Sequence, residues 1–333
     1  MHEVSLVFSS HRPETLQVSA PLMKKYDAIF LEDPPTTEFR EYLQGTLSID
    51  DYLMTLDAEY PEFTRLSCNH LKQLHTQGKS IIQIEPFLEV LIEIHAFFAD
   101  GGDPSDIDTG SATFNVYQAE KNATGRLLDY YQTVMTGSFE KTIETVKAFA
   151  RADAARLLLR DAMRAEALVH EVLKYAKSYV EAGYIHHALF VKLRKALAGR
   201  ANLRPVFLMA PIVKPLLGKR QALGPGDILT LLYVYHPHFQ KKEADLLAAR
   251  SIVYIKLLEK EELEAIPGEY PHTRDEVTAL QMVCSLSFED CQNLYPHIRL
   301  AKTEDARSMV KAYLRSGEGE NTPWIFPFIG LCF

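Results

Sequence analysis

The chain has 333 residues, of which 47% are hydrophobic and 24% are charged. This length predicts about two domains, and the apolar content excludes an intrinsically disordered chain. The formal net charge of −8 at pH 7 argues against nucleic acid as a partner, because a nucleic-acid binder neutralises phosphates with an excess of Lys and Arg.

Membrane and secretory signals are missing from the sequence. No apolar run reaches the roughly 20 residues that span a bilayer, and the first residues lack the basic and apolar regions of a signal peptide. The 4 cysteines occur without CxxC spacing, which is typical of reduced thiols. We therefore expect a soluble, cytoplasmic protein with no membrane partner.

The first third of the chain alternates predicted strands with helices. Val4–Phe8 and Asp27–Leu31 are short apolar runs, and Ser80–Ile84 is a third, followed directly by a helix over Phe87–Phe98. Strands that alternate with helices form a sheet with helices packed on it. The expected fold class is therefore α/β, with a central mixed sheet flanked by helices.

The remainder of the chain is predicted to be mostly helical. Residues 113–173 read as two long helices broken near Gly137–Ser138, and Ser178–Glu181 and Pro205–Met209 read as further strands. We expect an α/β core over residues 1–200, including the helical segment 113–173. Residues 201–333 are expected to form a mainly helical region, for which a lid and a partner-docking surface are the two roles considered. The apolar tail Pro323–Phe333 is expected to dock.

Polar residues follow four of the predicted strands. His11 comes after the first strand, Glu32–Asp33 after the second, and Glu85 after the third, while His186–His187 follows Ser178–Glu181. Ligands of open α/β sheets bind beyond the carboxyl ends of strands, so these residues are candidates for proton transfer or metal binding. The alternative is ordinary loop histidines and solvated or capping carboxylates. Adjacent residues leave a turn in different directions, so His186 is preferred over His187.

Three arginines lie at helical spacing within the second long helix. Arg156, Arg160 and Arg164 are four residues apart and share one helix face. One explanation is pairing with nearby surface acids, and the other is that Arg160 or Arg164 orients an anionic or carbonyl-bearing substrate. The P-loop, GxGxxG, GxSxG and HExxH motifs do not occur, which removes the commonest nucleotide-binding and hydrolase signatures.

The order of these elements resembles the TraB/PrgY (pheromone-shutdown) family, which is grouped with erythromycin esterases, ChaN-like haem-binding proteins and Tiki metalloproteases. Ser9–Ser10–His11 stands where the family has Gly-x-x-His, and Phe30–Leu31–Glu32 stands where it has a strand ending in glutamate. Arg160–Asp161–Ala162–Met163 matches its Arg-Asp-x-Met helix, and Glu181–His186 matches its later strand and histidine turn. The resemblance covers about residues 4 to 198.

The resemblance implies a hydrolase of peptide or ester bonds. In a metal-dependent form, His11, Glu32 and His186 would hold a divalent cation such as zinc, manganese or iron that acidifies a bound water. In a metal-free form, a histidine would deprotonate water while glutamates including Glu85 orient it. Arg160 and Arg164 would bind the small-molecule or peptide substrate in either form.

Two alternatives to an enzyme stay open. The first is a protein that binds haem, a metal or a small metabolite without turnover, and the second is a regulatory protein that docks a partner through its C-terminal third. The sequence leaves the oligomeric state open, a homo-oligomer included.

Overall fold

The structure, a computed structural model, describes residues 2–316, so the tail predicted to dock lies outside the described residues. The described strands form one five-stranded sheet with the order β3-β2-β4-β1-β5. The strands are β1 (His2–Ser9), β2 (Ala28–Leu31), β3 (Ser80–Gln83), β4 (Lys177–Gly183) and β5 (Ala201–Phe207).

Every pairing in this sheet is parallel, which confirms the α/β class and replaces the expected mixed sheet with a parallel one. Strands β1 and β2 are almost wholly buried along their length, as is typical of strands covered on both faces. Strand β4 lies between β1 and β2 although it follows them by more than 140 residues. Its register places Glu181 beside Val7 and Val180 beside Phe30.

The described chain contains fourteen α-helices. Those in the first half are α1 (Leu16–Met23), α2 (Thr37–Gln44), α3 (Ile49–Leu53), α4 (Pro61–Thr76), α5 (Pro86–Ala99), α6 (Ala112–Thr136) and α7 (Phe139–Glu171). Those in the second half are α8 (His187–Ala196), α9 (Ala210–Leu217), α10 (Pro225–Tyr235), α11 (Lys242–Leu257), α12 (Pro271–Cys284), α13 (Phe288–Ile298) and α14 (Thr303–Arg315). The break between α6 and α7 falls at Gly137–Ser138, as predicted.

The described residues divide into two compact units, neither of which is a continuous stretch of chain. Unit 1 contains the sheet and comprises residues 2–117, 159–212 and 261–272. Unit 2 is helical and comprises residues 118–158, 213–260 and 273–316. The boundary expected at residue 200 would separate β5 from the sheet, whereas β5 pairs with β1 along its whole length.

The segment 261–272 is held in unit 1 by hydrogen bonds to distant parts of the chain. The carboxylate of Glu262 accepts the backbone N–H groups of Glu62 and Phe63 at 2.9 and 2.8 Å. These donors belong to the first turn of α4 and have no partner within the helix, so an anion there stabilises the helix end. The backbone N–H of His272 donates to Glu14 at 2.8 Å.

The main core of unit 1 lies between the sheet and the helices α7 and α8. Alternate residues of β1, Val4, Leu6 and Phe8, point into it, as the two-residue period of a strand requires. The helices contribute their own apolar residues, which are Ala165, Leu168, Val169 and Val172 from α7, and Leu189, Phe190, Leu193 and Leu197 from α8. This packing fixes α7 against the sheet one turn beyond Asp161 and Arg164.

Unit 2 has a core of its own around α11, which packs against α10, α13 and α14. The guanidinium of Arg250 is buried there and donates to the carbonyl oxygens of Leu286 and Cys284 at 2.9 and 2.8 Å. No helix within residues 2–316 is both long and apolar enough to cross a membrane. Cys68, Cys284 and Cys291 are buried free thiols.

Candidate active site

The predicted site residues lie at one edge of the sheet, where the carboxyl ends of the strands meet. Glu32 follows β2, Glu85 follows β3, and His186 precedes α8 after β4. Because these three strands are neighbours, the structure brings the three side chains into one buried network. His11 follows β1 and lines a pocket beside this network.

His186 is held between two carboxylates. Its Nε2 lies 2.7 Å from Oε1 of Glu32 and its Nδ1 lies 2.5 Å from Oδ1 of Asp161, and the side chain is buried. Burial alone would lower the pKa of His186, but the charges and hydrogen bonds of Glu32 and Asp161 outweigh it and raise the pKa to about 9. His186 is therefore an imidazolium at neutral pH, and both of its N–H groups already have acceptors.

The two adjacent histidines have different surroundings, and neither lines the pocket. The ring of His187 turns away from Glu32 and stacks on the ring of Phe8, with the centroids 5.0 Å apart. His186 alone enters the charged network.

Asp161 links α7 to the start of α8. Its Oδ2 accepts the backbone N–H of Leu189 at 2.8 Å, which satisfies a donor in the first turn of α8. Its side chain is fully buried, so both oxygens have protein donors as their partners. Sequence reasoning gave Asp161 no chemical role, and its place in the Arg-Asp-x-Met pattern was the one available signal.

Glu32 is the most heavily bonded carboxylate of the network. Its Oε2 accepts the backbone N–H of Gly183 at 2.6 Å, in addition to the contact with His186. Desolvation by burial would raise the pKa of Glu32, but His186, Arg164 and Arg160 together hold it well below its ordinary range. A Cβ at position 183 would lie 3.3 Å from Cδ2 of His186 and 3.7 Å from Oε2 of Glu32, so glycine permits this close approach.

Two arginines from successive turns of α7 bridge the glutamates. Arg160 lies 2.9 Å from Oε1 of Glu32 and 3.2 Å from Oε1 of Glu85. Arg164 lies 3.4 Å from an oxygen of each glutamate, and its Nε donates to the carbonyl of Ile84 at 3.0 Å. Arg164 and Glu85 have no exposed side-chain surface, whereas Arg160 keeps 25% of its side chain exposed.

The third arginine of the predicted stripe has a different environment. Arg156 pairs with Asp153 at 2.6 Å and with Glu120 at 3.1 Å, and its side chain is 34% exposed. The three arginines therefore do not act as one anion-binding stripe. Arg156 is neutralised by nearby acids, and Arg160 and Arg164 neutralise the glutamates at the sheet edge.

The buried network has balanced charge when Glu85 is ionised. The cations are His186, Arg160 and Arg164, and the anions are Glu32, Glu85 and Asp161. Desolvation raises the pKa of Glu85, and the two arginines oppose this shift without cancelling it. Balanced charge is the condition under which six ionisable groups tolerate burial.

The adjacent pocket has a volume of about 340 Å³ and lies within unit 1. His11, Asp33 and Glu181 line it where strands β1, β2 and β4 end. Helices α2, α3 and α4 and the loop after α3 supply most of the rest of its wall, which includes Phe39, Tyr52, Leu56, Asp57, Glu59, Tyr60, Phe63, Thr64, Cys68 and Leu71. The ring of His11 stacks on the ring of Phe63 with the centroids 5.3 Å apart.

The two carboxylates beside His11 have perturbed acidity. Desolvation raises the pKa of Asp33 and that of Glu181, and in both cases the charge of His11 is the strongest opposing influence. Carboxyl groups whose pKa is raised exchange protons more readily near neutral pH. The pocket therefore combines three groups suited to proton transfer.

Glu181 connects the pocket with the buried network. Its Oε2 accepts the backbone N–H of Glu32 at 3.4 Å. Sequence reasoning placed Glu181 inside a strand and gave it no chemical role. The available signal was a carboxylate directly after the apolar pair Tyr179–Val180, because such a residue in a central buried strand needs a partner or a function.

The donor groups around Glu32 and His186 do not fit a divalent cation. Both nitrogens of His186 are engaged with carboxylates, and Arg160 and Arg164 place positive charge on the oxygens of Glu32. A metal needs neutral imidazole and free carboxylate oxygens. Within residues 2–316 no group of three or more His, Cys, Asp or Glu side chains is arranged to hold a metal ion. The predicted ligand set of His11, Glu32 and His186 thus finds no support.

The fold and the site define an α/β protein that carries a polar pocket at the carboxyl edge of a parallel sheet. The chain belongs to the same family as a protein of Archaeoglobus fulgidus described as uncharacterized. The two are 30% identical over 291 residues, which cover 87% of this chain and 97% of the relative. No family model and no solved structure matches the chain, so the resemblance to TraB/PrgY proteins stays a prediction.

Proposed function

We propose that the protein is a hydrolase that cleaves an ester or peptide bond in a small substrate held in the pocket. The observation that supports this most strongly is that His11, Asp33 and Glu181 line one cavity at the ends of three adjacent strands. Ligand sites of α/β proteins lie at this edge of the sheet, and histidine next to carboxylates is a combination suited to general acid–base catalysis.

In the proposed reaction His11 accepts a proton from water as the water oxygen attacks the carbonyl carbon. The resulting imidazolium is stabilised by Asp33 and Glu181, whose charges are the neighbours with which His11 interacts. His11 then returns the proton to the leaving alcohol or amine as the bond to the carbonyl carbon breaks. Atoms and charge balance, and the products are a carboxylic acid and an alcohol or amine.

The buried network has a positioning role in this proposal. Glu32 fixes Gly183 through its side chain and Glu181 through its backbone N–H, so it holds the end of β4 in place. The other residues of the network contact Glu32 or one another and do not line the cavity; they are Glu85, Arg160, Arg164 and His186. Effects of substitutions in the network therefore reach the reaction through the orientation of Glu181.

The test compares hydrolysis of a panel of small esters and dipeptides by the wild-type protein and His11→Ala. General acid–base catalysis contributes about 10²- to 10⁴-fold, so His11→Ala is expected to lower kcat by that order. His75→Ala is the matched control, because His75 is also exposed in unit 1 but does not line this pocket. Unchanged melting temperatures establish folding, and full activity of folded His11→Ala would refute the role of His11.

A binding protein without turnover is the second candidate. It is favoured by the fact that His186 and Glu32, two of the three residues predicted to activate water, have their polar side-chain atoms engaged with protein partners. Tight binding of a small metabolite with no product formed over long incubation would support this candidate over the hydrolase.

A further inference from the structure

The edge of the sheet at β3 is open to a further strand. We infer that this edge binds an extended peptide segment that carries an acidic side chain, and that the peptide pairs with β3 through its backbone. The inference goes beyond the proposed hydrolase, because it concerns a second cavity that adjoins the pocket but is not lined by His11, Asp33 or Glu181.

Strand β3 is the outermost strand on one side of the sheet. The backbone N–H groups of Ser80 and Ile84 donate to carbonyl oxygens along the neighbouring β2 segment at 3.1 and 3.2 Å. Because the peptide groups of a strand alternate in direction, the N–H and C=O groups of Ile81 and Gln83 point away from β2. No backbone group within residues 2–316 pairs with the N–H of either residue. This edge therefore offers donors and acceptors with which another strand can pair.

A cavity of about 260 Å³ lies along this edge. Ile81, Ile82 and Gln83 line it, together with residues of α2 that include Phe39 and Leu43. Successive side chains of a strand point to opposite faces of the sheet, so a cavity lined by three successive residues extends around the edge and is not confined to one face. The space therefore lies where an added strand would run, and the apolar side chains of α2 form a wall for one of its side chains.

The opposite edge of the sheet, formed by β5, has a different backbone. The N–H of Leu208 donates to the carbonyl oxygen of Phe8 at 3.0 Å, so alternation along the strand directs Pro205 away from β1. Proline has no N–H, and proline on an edge strand hinders pairing with another chain. Ser80–Gln83 contains neither proline nor a charged residue. Of the two edges, the one at β3 is therefore the one suited to pairing.

The charge at the cavity favours an acidic peptide. Arg40 lines the cavity and is exposed, and it makes no ion pair among the described residues. No Asp or Glu of the described chain lines this cavity. A carboxylate on the bound peptide supplies the missing counterion. The same edge of a second copy does not, because Ser80–Gln83 has no carboxylate and brings a second Arg40 instead.

A set of hexapeptides tests the inference: acetyl-Thr-Val-Glu-Val-Thr-Val-amide and its counterparts with glutamine or lysine in place of glutamate. Calorimetric titration of the full chain is expected to give affinities in the order glutamate, glutamine, lysine. Because an exposed ion pair contributes little, the glutamate peptide should bind about two- to five-fold more tightly than the glutamine peptide at low salt. Absence of binding by all of these peptides would overturn the inference, and equal affinities would overturn the role of Arg40.

Backbone N-methylation separates strand pairing from binding through side chains. Two complementary forms of the glutamate peptide, each methylated at alternate residues, lose either the donors that face β3 or the donors that face away from it. The first form should bind about ten-fold or more weakly, since it loses its backbone hydrogen bonds to β3, whereas the second should bind nearly as well as the parent. Equal losses in the two forms would overturn the pairing with β3.

Variants of the protein locate the site. Ile81→Pro removes an N–H that points away from β2 and should weaken all of the peptides, and Arg40→Gln should weaken the glutamate peptide about two- to five-fold and leave the glutamine peptide unchanged. Arg194→Gln is the matched control, because Arg194 is an exposed arginine of unit 1 outside the cavity. Melting temperatures establish folding, and the methylated peptides test the wild type without any variant. An unchanged affinity in folded Ile81→Pro would overturn the site.

Sedimentation velocity distinguishes the peptide from a second copy of the chain at this edge. A wild-type monomer that binds the glutamate peptide would support the inference. A wild-type dimer that dissociates in Ile81→Pro would assign the edge of β3 to a second copy and overturn it.

Discussion

The charge of His186 makes the stability of the protein depend on pH in a defined direction. The folded protein holds this imidazole between Glu32 and Asp161 and raises its pKa from the ordinary 6.5 to about 9. A group whose pKa is higher in the folded state binds its proton more tightly there, so folding is favoured while the group is protonated. The stabilisation is fully present below about pH 6.5 and is lost as the pH rises through about 9.

The size of the effect follows from the shift. One pKa unit corresponds to about 1.4 kcal/mol, so the difference between 6.5 and about 9 gives a contribution of roughly 3 kcal/mol. The ring is only 4% exposed, so solvent does not screen the interaction appreciably. The interaction between His186 and Glu32 also lowers the pKa of Glu32. Glu32 stays ionised between pH 6 and 10, so within this pair only the titration of His186 changes the free energy of unfolding in this range.

Urea unfolding at several pH values between 6 and 10 measures this contribution. The free energy of unfolding of the wild type is expected to fall by roughly 3 kcal/mol over this range. Asp161→Asn leaves Glu32 as the one carboxylate at His186, so the fall with pH should be smaller in that variant than in the wild type. Direct NMR titration of the imidazole in the folded wild type provides a reading that needs no variant. A pKa near 6.5 for His186 would refute the charged network as described.

Two substitutions test the packing and charge balance of the same site. Arg164→Met removes a cation that contacts two buried glutamates, and it is expected to lower the free energy of unfolding by about 3–5 kcal/mol. Arg156→Met should lower it by no more than about 1 kcal/mol, because the ion pairs of Arg156 are partly exposed. Equal losses measured by urea unfolding would contradict the division between the two arginines. Gly183→Ala brings a methyl group to 3.3 Å from the ring of His186 and is expected to destabilise by about 1–3 kcal/mol and to lower the pKa of His186. An unchanged imidazole titration in that variant would show that the turn adjusts without disturbing the ring.

Local patterns were sufficient to predict most elements. Short runs bounded by polar or Pro-containing turns located four of the strands, and Gly137–Ser138 located the break between the two long helices. The run predicted at Pro205–Met209 overlaps only the last three residues of β5, which begins at Ala201. The positions of Glu32, Glu85 and His186 after strands predicted that they lie at strand ends, and the parallel pairing seen in the structure places those ends at one edge of the sheet. The prediction of strand ends used chain order alone and needed no side-chain geometry.

Local patterns could not predict the order of the strands in the sheet. The insertion of β4 between β1 and β2 depends on packing between segments more than 140 residues apart, and this insertion brings Glu181 between His11 and Asp33. The sequence offered no measure of which side chain of a strand end points to the pocket and which to the core. His11 was therefore grouped with Glu32 and His186, whereas its charged neighbours are Asp33 and Glu181.

The charged residues at the sheet edge form two groups, a buried network and the residues that line the pocket. Arg160, Asp161 and Arg164 lie on one face of α7 and bind the residues that follow β2, β3 and β4. Five buried charges and the partly exposed Arg160 balance in sign and add little net stability over an apolar core, but loss of any single one leaves its partner uncompensated. Such a network specifies the position of the strand ends rather than increasing stability, and Asp33 and Glu181 are the carboxylates near the strand ends that line the cavity. Substitutions in the network are therefore expected to lower stability, and to lower activity only as a consequence of that loss. Substitutions of His11 or Asp33 should change activity while stability stays nearly constant.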